Sequence, residues 1–152
     1  MKYILTFLQS LVLLGSAIAG EQGRLIVTFA PSDNDRVQVF GIARPDVKNL
    51  PIWASGSKEP PLSVGEAVVV SRNRLNNSNG GGDELQLDDI HLAKKSSAGV
   101  NEVWFYHLLF STSPKKISDP VRTQHIVVLM DGRILSSEIM SEKEFEILFM
   151  HR

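Results

Sequence analysis

Asn101-Glu-Val-Trp-Phe-Tyr-His-Leu-Leu-Phe110, a polar loop, and then Thr123-Gln-His-Ile-Val-Val-Leu-Met-Asp-Gly-Arg-Ile-Leu135 is the stretch on which the fold turns. Both runs are rich in β-branched and aromatic residues, which suit a pleated, packed surface. Asp131-Gly132 between Met130 and Arg133 is a two-residue hairpin signal, since the tight turn needs a positive φ that glycine adopts freely. In the first run Val103, Phe105 and Leu109 occupy one side, and Trp104, Tyr106, Leu108 and Phe110 the other. A strand that must hide both faces belongs in the interior of a sheet.

Working outward, Leu85 to Lys95 reads as a strand. Leu87 and Ile90 stand on opposite parities, which predicts a bulge or a late strand start near Asp88-Asp89. Ser111 to Arg122 is a long polar hairpin loop. The strand Thr123 to Met130 follows, and Arg133 to Ile139 is expected to run back antiparallel beside it. Ser141 and Glu144 form a capping box ahead of Phe145, Leu148 and Phe149, the pattern of a short C-terminal helix.

On the N-terminal side, Arg24 to Phe29 and Arg36 to Ala43 are strand-like, and Pro31-Ser32-Asp33-Asn34-Asp35 supplies the turn of a hairpin. Pro45 to Pro61 carries four prolines and admits no long regular element. From Leu62 to Leu75, Ser63 and Glu66 make a capping box. Val64, Ala67, Val68, Ser71 and Leu75 then share one helical stripe, with Arg72 and Arg74 away from it. Gly65 and Val68-Val69-Val70 argue against a helix, because glycine loses backbone entropy there and valine is stiff at χ1. Cap and period agree, however, so a helix is expected, with a buried strand as the alternative. Asn76 to Asp83 is a glycine-rich connector. Its glycines follow the helix candidate rather than precede one, so they make no phosphate cradle.

The 152 residues have room for one domain, expected over 24–150. Residues 1–19 read as a signal peptide. Lys2 precedes an apolar run from Ile4 to Leu14, and Ala17-Ile18-Ala19 offers a cleavage site near Ala19. That run is shorter than the roughly 20 residues a membrane span needs. A secreted or periplasmic location is therefore expected, with no stable membrane anchor after cleavage. Removing the leader takes Lys2 and no acid from 16 basic and 17 acidic residues, leaving a net charge of −2. So mild a charge argues against a nucleic-acid partner. The chain has no cysteine, so disulfides, thiolate nucleophiles and cysteine metal sites are excluded.

Leu62, Ser63, Glu66 and Ala67 at a helix start, three antiparallel strands, and Asp131, Gly132, Ile134 and Leu135 at the end resemble a PepSY-type domain. The resemblance covers roughly 61–135. It implies a small exported α+β module of cystatin-like shape, an antiparallel sheet curled around one main helix, with a binding or protease-modulating role and no catalytic residues. Here an N-terminal β-hairpin and a short C-terminal helix are added to that plan. Gln38-Val39-Phe40-Gly41 also resembles the glutamine-to-glycine loop of cystatin inhibitors, but it is one residue short and lies in an expected strand.

Among candidate chemistries, His107 and His125 should project from one sheet face, opposite or diagonal to one another. They could begin a metal site with His91, Glu102 or Asp89, although their spacing matches no established ligand motif. No serine sits in a nucleophile elbow. Asp88-Asp89 and Glu142, Glu144 and Glu146 are the available carboxylates, and the last three suit a helix start. Binding rather than catalysis is the reading, with no cofactor called for. The aromatic face Trp104, Tyr106, Leu108 and Phe110 is the candidate surface for a protein or peptide partner or a homodimer. The alternative is that the N-terminal hairpin, Trp53 or the C-terminal helix covers it. A ligand pocket or enzymatic site near His107 and His125 is the second functional reading.

Overall fold

Val100–Thr112 is the middle strand of three, with antiparallel neighbours hydrogen-bonded on either side, as its two apolar faces require. The computed structural model describes residues 23–32, 35–54, 59–78, 84–97, 100–112 and 121–150. Along them run β1 (Arg24–Ser32), β2 (Arg36–Ala43), α1 (Arg44–Val47), α2 (Val64–Ser78), β3 (Leu85–Ser97), β4 (Val100–Thr112), β5 (Thr123–Leu129), β6 (Ser137–Ser141) and α3 (Glu142–Met150). The leader at 1–19 lies outside the described residues, as do the loop 113–120, turn positions 33–34 and connector positions 79–83.

The fold class is α+β, as expected, but the strands divide into two antiparallel sheets, β1-β2-β6 and β3-β4-β5, rather than one curled sheet. The reason lies in where apolar side chains find partners. Leu25, Phe40 and Ile42 of the first sheet pack on Val103, Phe105, Val127 and Leu129 of the second. The N-terminal hairpin thereby covers one face of β4. In β1 the register passes from Ile26↔Gly41 to Thr28↔Phe40, so Val27 is an extra residue. This bulge moves the buried positions from the parity of Leu25 to that of Ala30. In β3 the register shift falls between Leu87 and Asp89, where the change of parity predicted it.

The other face of β4 is covered by α2, which settles the Leu62–Leu75 ambiguity in favour of helix. Ser63 N–H and Oγ donate to Glu66 Oε2 at 2.9 and 2.7 Å, and Glu66 N–H donates back to Ser63 Oγ at 3.3 Å. Ala67, Ser71 and Leu75, four residues apart, are buried against the sheet. The small side chains at 67 and 71 let the helix axis approach closely. The valine run survives in the helix because Val69 faces solvent while Val68 and Val70 pack beside the core. No helix among the described residues is long and apolar enough to cross a membrane.

Ser141 and Glu144 cap α3 through the same reciprocal pattern, at 2.7 Å between Oγ and Oε2. Phe145 meets Phe29 edge-on at 4.9 Å, which docks α3 on β1. One expected strand is corrected. Arg133 to Ile139 does not continue beside β5: only the bridge Val128↔Ile134 forms there, and Ser137–Ser141 pairs with β2 instead. Gln38 Nε2 donates to Ser137 Oγ at 2.7 Å, and Arg24 ion-pairs with Glu138, so β6 gains side-chain partners that β5 does not supply.

Candidate functional site

The diversion of β6 creates the site. Gly132, at φ +83, turns the chain after β5, and Arg133–Leu135 runs back along it for three residues. Leu129 N–H donates to Arg133 O and Leu135 N–H to Val127 O, both at 2.9 Å. The outer edge of β5 is therefore formed by the backbone groups of its odd-numbered residues, while the even-numbered ones face β4. Beyond Val127 that edge is uncovered. Among the described residues, none hydrogen-bonds to the outward N–H or C=O of Thr123 or His125.

A cleft of about 680 Å³ opens along this edge. Thr123 and His125 lie on its β5 side. Gln38, Phe40 and Ile139 of the first sheet line one wall, and Arg74 and Leu75 near the end of α2 line the other. The cleft thus spans all three layers along one of the two edges of the second sheet, that of β5. Apolar carbon on both walls, one guanidinium and a row of backbone donors and acceptors suit a ligand that is partly apolar and can hydrogen-bond along its length. A second cavity of about 490 Å³ lies at the far side of the 133–136 connector, beside Arg24, Asp46 and Glu138.

His107 and His125 are diagonal neighbours, since His107 pairs with Val127 and Leu109 with His125. Their rings meet, with Nε2 of His107 3.0 Å from Nδ1 of His125 and the Phe40 ring 6.0 Å from His107. Burial holds both imidazoles below the ordinary histidine value of 6.5, and for His107 the charges of His125 and His91 act in the same direction. His91 stands opposite His107 on β3 but turns to Asp89, Nε2 to Oδ2 at 2.6 Å, and both are exposed. Glu102 pairs with Lys94 at 2.6 Å, and the Lys94 hydrogen bond is the main cause of its lowered carboxyl pKa. Among the described residues no three metal-ligating side chains are gathered closely enough to hold an ion. Of the two histidines, only His125 lines the cleft.

The aromatic face lies beneath α2. Tyr106, Leu108 and Phe110 are buried, and Tyr106 Oη donates to Leu62 O at 3.0 Å. Trp104 is half-buried, edge-on to Trp53 at 4.6 Å, with Lys94 Nζ 5.5 Å from its ring centre. These four residues form the packing surface for the helix and its flanks, so the surface offered for a partner is taken up within the chain. The Gln38–Gly41 segment lies within β2, paired with β1 throughout and with β6 as far as Phe40, and forms no projecting loop. Ser111 Oγ donates to Asp88 Oδ1 at 3.0 Å, and Glu144 serves as a helix cap. Sequence reasoning missed Arg74, Gln38 and Ile139 as site residues. The one available signal was that Arg74 falls off the apolar stripe of its helix.

No protein-family model matches the chain, and no curated protein and no solved structure shows a significant similarity to it.

Proposed function

We propose that this protein is an exported, non-catalytic binding module whose partner sits in the cleft along β5. The observation that carries this reading is the cleft itself. It has two apolar walls, a guanidinium from Arg74, and an uncovered strand edge at Thr123 and His125. Export is supported by Lys2, the apolar run Ile4 to Leu14 and Ala17-Ile18-Ala19. A PepSY-like or cystatin-like kinship is supported by the second half of the chain, where α2 leads into three antiparallel strands and lies across them.

The test is paired affinity capture from an extract of the producing cells. One column carries the protein as it stands, and the other carries a variant with Arg74→Glu and Ile139→Asp, both at exposed positions. A partner retained by the first and lost from the second is the expected result. Identical retention on both columns would remove the cleft from the account.

A second reading, a small-ligand or enzymatic site at the histidines, has one supporting observation. His125 lines the cleft and is hydrogen-bonded to His107, an arrangement that keeps a neutral imidazole available as a base near neutral pH.

A further inference from the structure

Resting on the reading of the β5 cleft as a binding site, we infer that its occupant is an extended polypeptide segment. The segment is added antiparallel to β5 as a fourth strand of the second sheet.

The first argument is the vacant lane. Val128 pairs with Ile134, so in that register Ser137 would stand opposite His125, and Ile139 opposite Thr123. Both have gone to β2 instead, where Phe40 pairs with Ser137 and Gln38 with Ile139. The chain's own strand thus begins the lane at Arg133–Leu135 and leaves it. The outward N–H and C=O of His125 and Thr123 recur at two-residue intervals. An extended backbone matches that interval, offering one donor and one acceptor at every second residue.

The second argument is the walls. A strand at the normal spacing of about 4.8 Å from β5 stands between α2 and the first sheet, with alternate side chains directed to each. Leu75 receives one set, and Phe40 and Ile139 the other. Those contacts select apolar residues on both faces, as in a buried central strand. Charge refines the choice. Arg74 has no ion pair among the described residues, while burial disfavours the charged form of His125. A guest with an acidic side chain beside Arg74 therefore complements the site, and a basic one does not. Main-chain bonds supply affinity and the alternate pockets supply selectivity.

The experiment uses a library of end-capped synthetic octapeptides, and each binder is remade with single backbone N-methyl groups, which remove one donor at a time. Expected are apolar-rich acidic binders whose affinity falls about ten-fold or more on N-methylation at one parity and hardly at the other. In the complex, hydrogen exchange at the Thr123 and His125 amides slows. Arg74→Glu weakens the acidic peptides and spares their neutral counterparts.

Peptides that bind in the cleft with equal tolerance of N-methylation at both parities would overturn the strand geometry and leave the cleft as a binding site. The absence of any binder at about 1 mM, a free energy near 4 kcal/mol, would overturn the peptide occupant, whatever the paired capture shows. Slowed exchange at Thr123 and His125 on concentration alone, with a doubled mass in sedimentation, would give the lane to a second copy and overturn the proposal.

Discussion

His107 and His125 hold one proton between them. Their facing nitrogens are 3.0 Å apart on neighbouring strands, and one must donate while the other accepts. A second proton there removes the acceptor and leaves an imidazolium facing its neighbour's N–H in a half-buried site. Burial is the leading cause that keeps both below 6.5, so in the folded state they bind fewer protons than in the unfolded chain. Stability from this pair is complete above about pH 6.5 and falls as pH drops through the window between 6.5 and the lowered folded values. Urea midpoints measured between pH 7.5 and 5 should decline, and His107→Leu with His125→Leu should flatten that decline. An unchanged slope in the double variant would assign the acid sensitivity elsewhere.

Leu108→Ala should cost about 2–5 kcal/mol, because it empties volume between β4 and α2 at a residue with 0% exposure. Tyr106→Phe should cost about 1 kcal/mol or more, leaving the Leu62 carbonyl without its donor. Chemical denaturation measures both. Unchanged midpoints with an altered sedimentation coefficient would mark the face as an interface between molecules rather than a core.

Ser71→Ala is expected to be neutral or to stabilise by up to about 1 kcal/mol. The Ser71 hydroxyl is buried against the sheet with no hydrogen-bond partner, and alanine is the better helix former. A loss above about 1 kcal/mol in thermal or urea unfolding would show that the hydroxyl has a partner in solution.

Gly41→Ala should destabilise by about 1–2 kcal/mol. A Cβ there would lie 2.5 Å from Arg24 Nε, so the Arg24 side chain must leave its course across β2. With it go the contacts to Gly41 O at 3.3 Å, Ser136 O at 3.5 Å and Glu138. Because Glu138 is largely exposed, that ion pair itself contributes little, and the loss comes from the displaced packing. Arg24→Ala in the Gly41→Ala background should then cost almost nothing further. Additive losses would refute the shared cause.

Removing the cap by Ser63→Ala should cost about 1 kcal/mol and fray the start of α2 without touching the cleft. Amide exchange at Glu66 and Ala67 should quicken while that of the β4 amides holds. An equal effect on the sheet would mean that helix and sheet open as one unit.

Short-range patterns carried much of the fold. Both capping boxes were legible because each lies within four residues, as was the bulge at Asp88-Asp89, where parity breaks inside a single strand. The interior position of Val100–Thr112 followed from apolar residues on both of its faces, which no edge strand could hide. That His107 and His125 share a face on adjacent strands followed from the hairpin, while the register that makes them diagonal rather than opposite came from the structure. The sequence could not say what lies on each face of that strand. Trp104, Tyr106, Leu108 and Phe110 are equally suited to a helix of the same chain and to a partner, since apolar burial has no direction.

Ser137–Ser141 marks the limit. Its five residues continue a pattern that fits the open side of β5 as well as that of β2, so local propensity does not choose between them. The choice rests on Gln38 reaching Ser137 across 99 residues of sequence and Arg24 reaching Glu138 across 114. Contacts so distant in the chain exist only once β6 has joined β1 and β2 in the first sheet. The strands, caps and central ribbon were set by residues near one another in sequence. The second sheet's missing neighbour, and the cleft it leaves beside Thr123 and His125, were decided by tertiary structure.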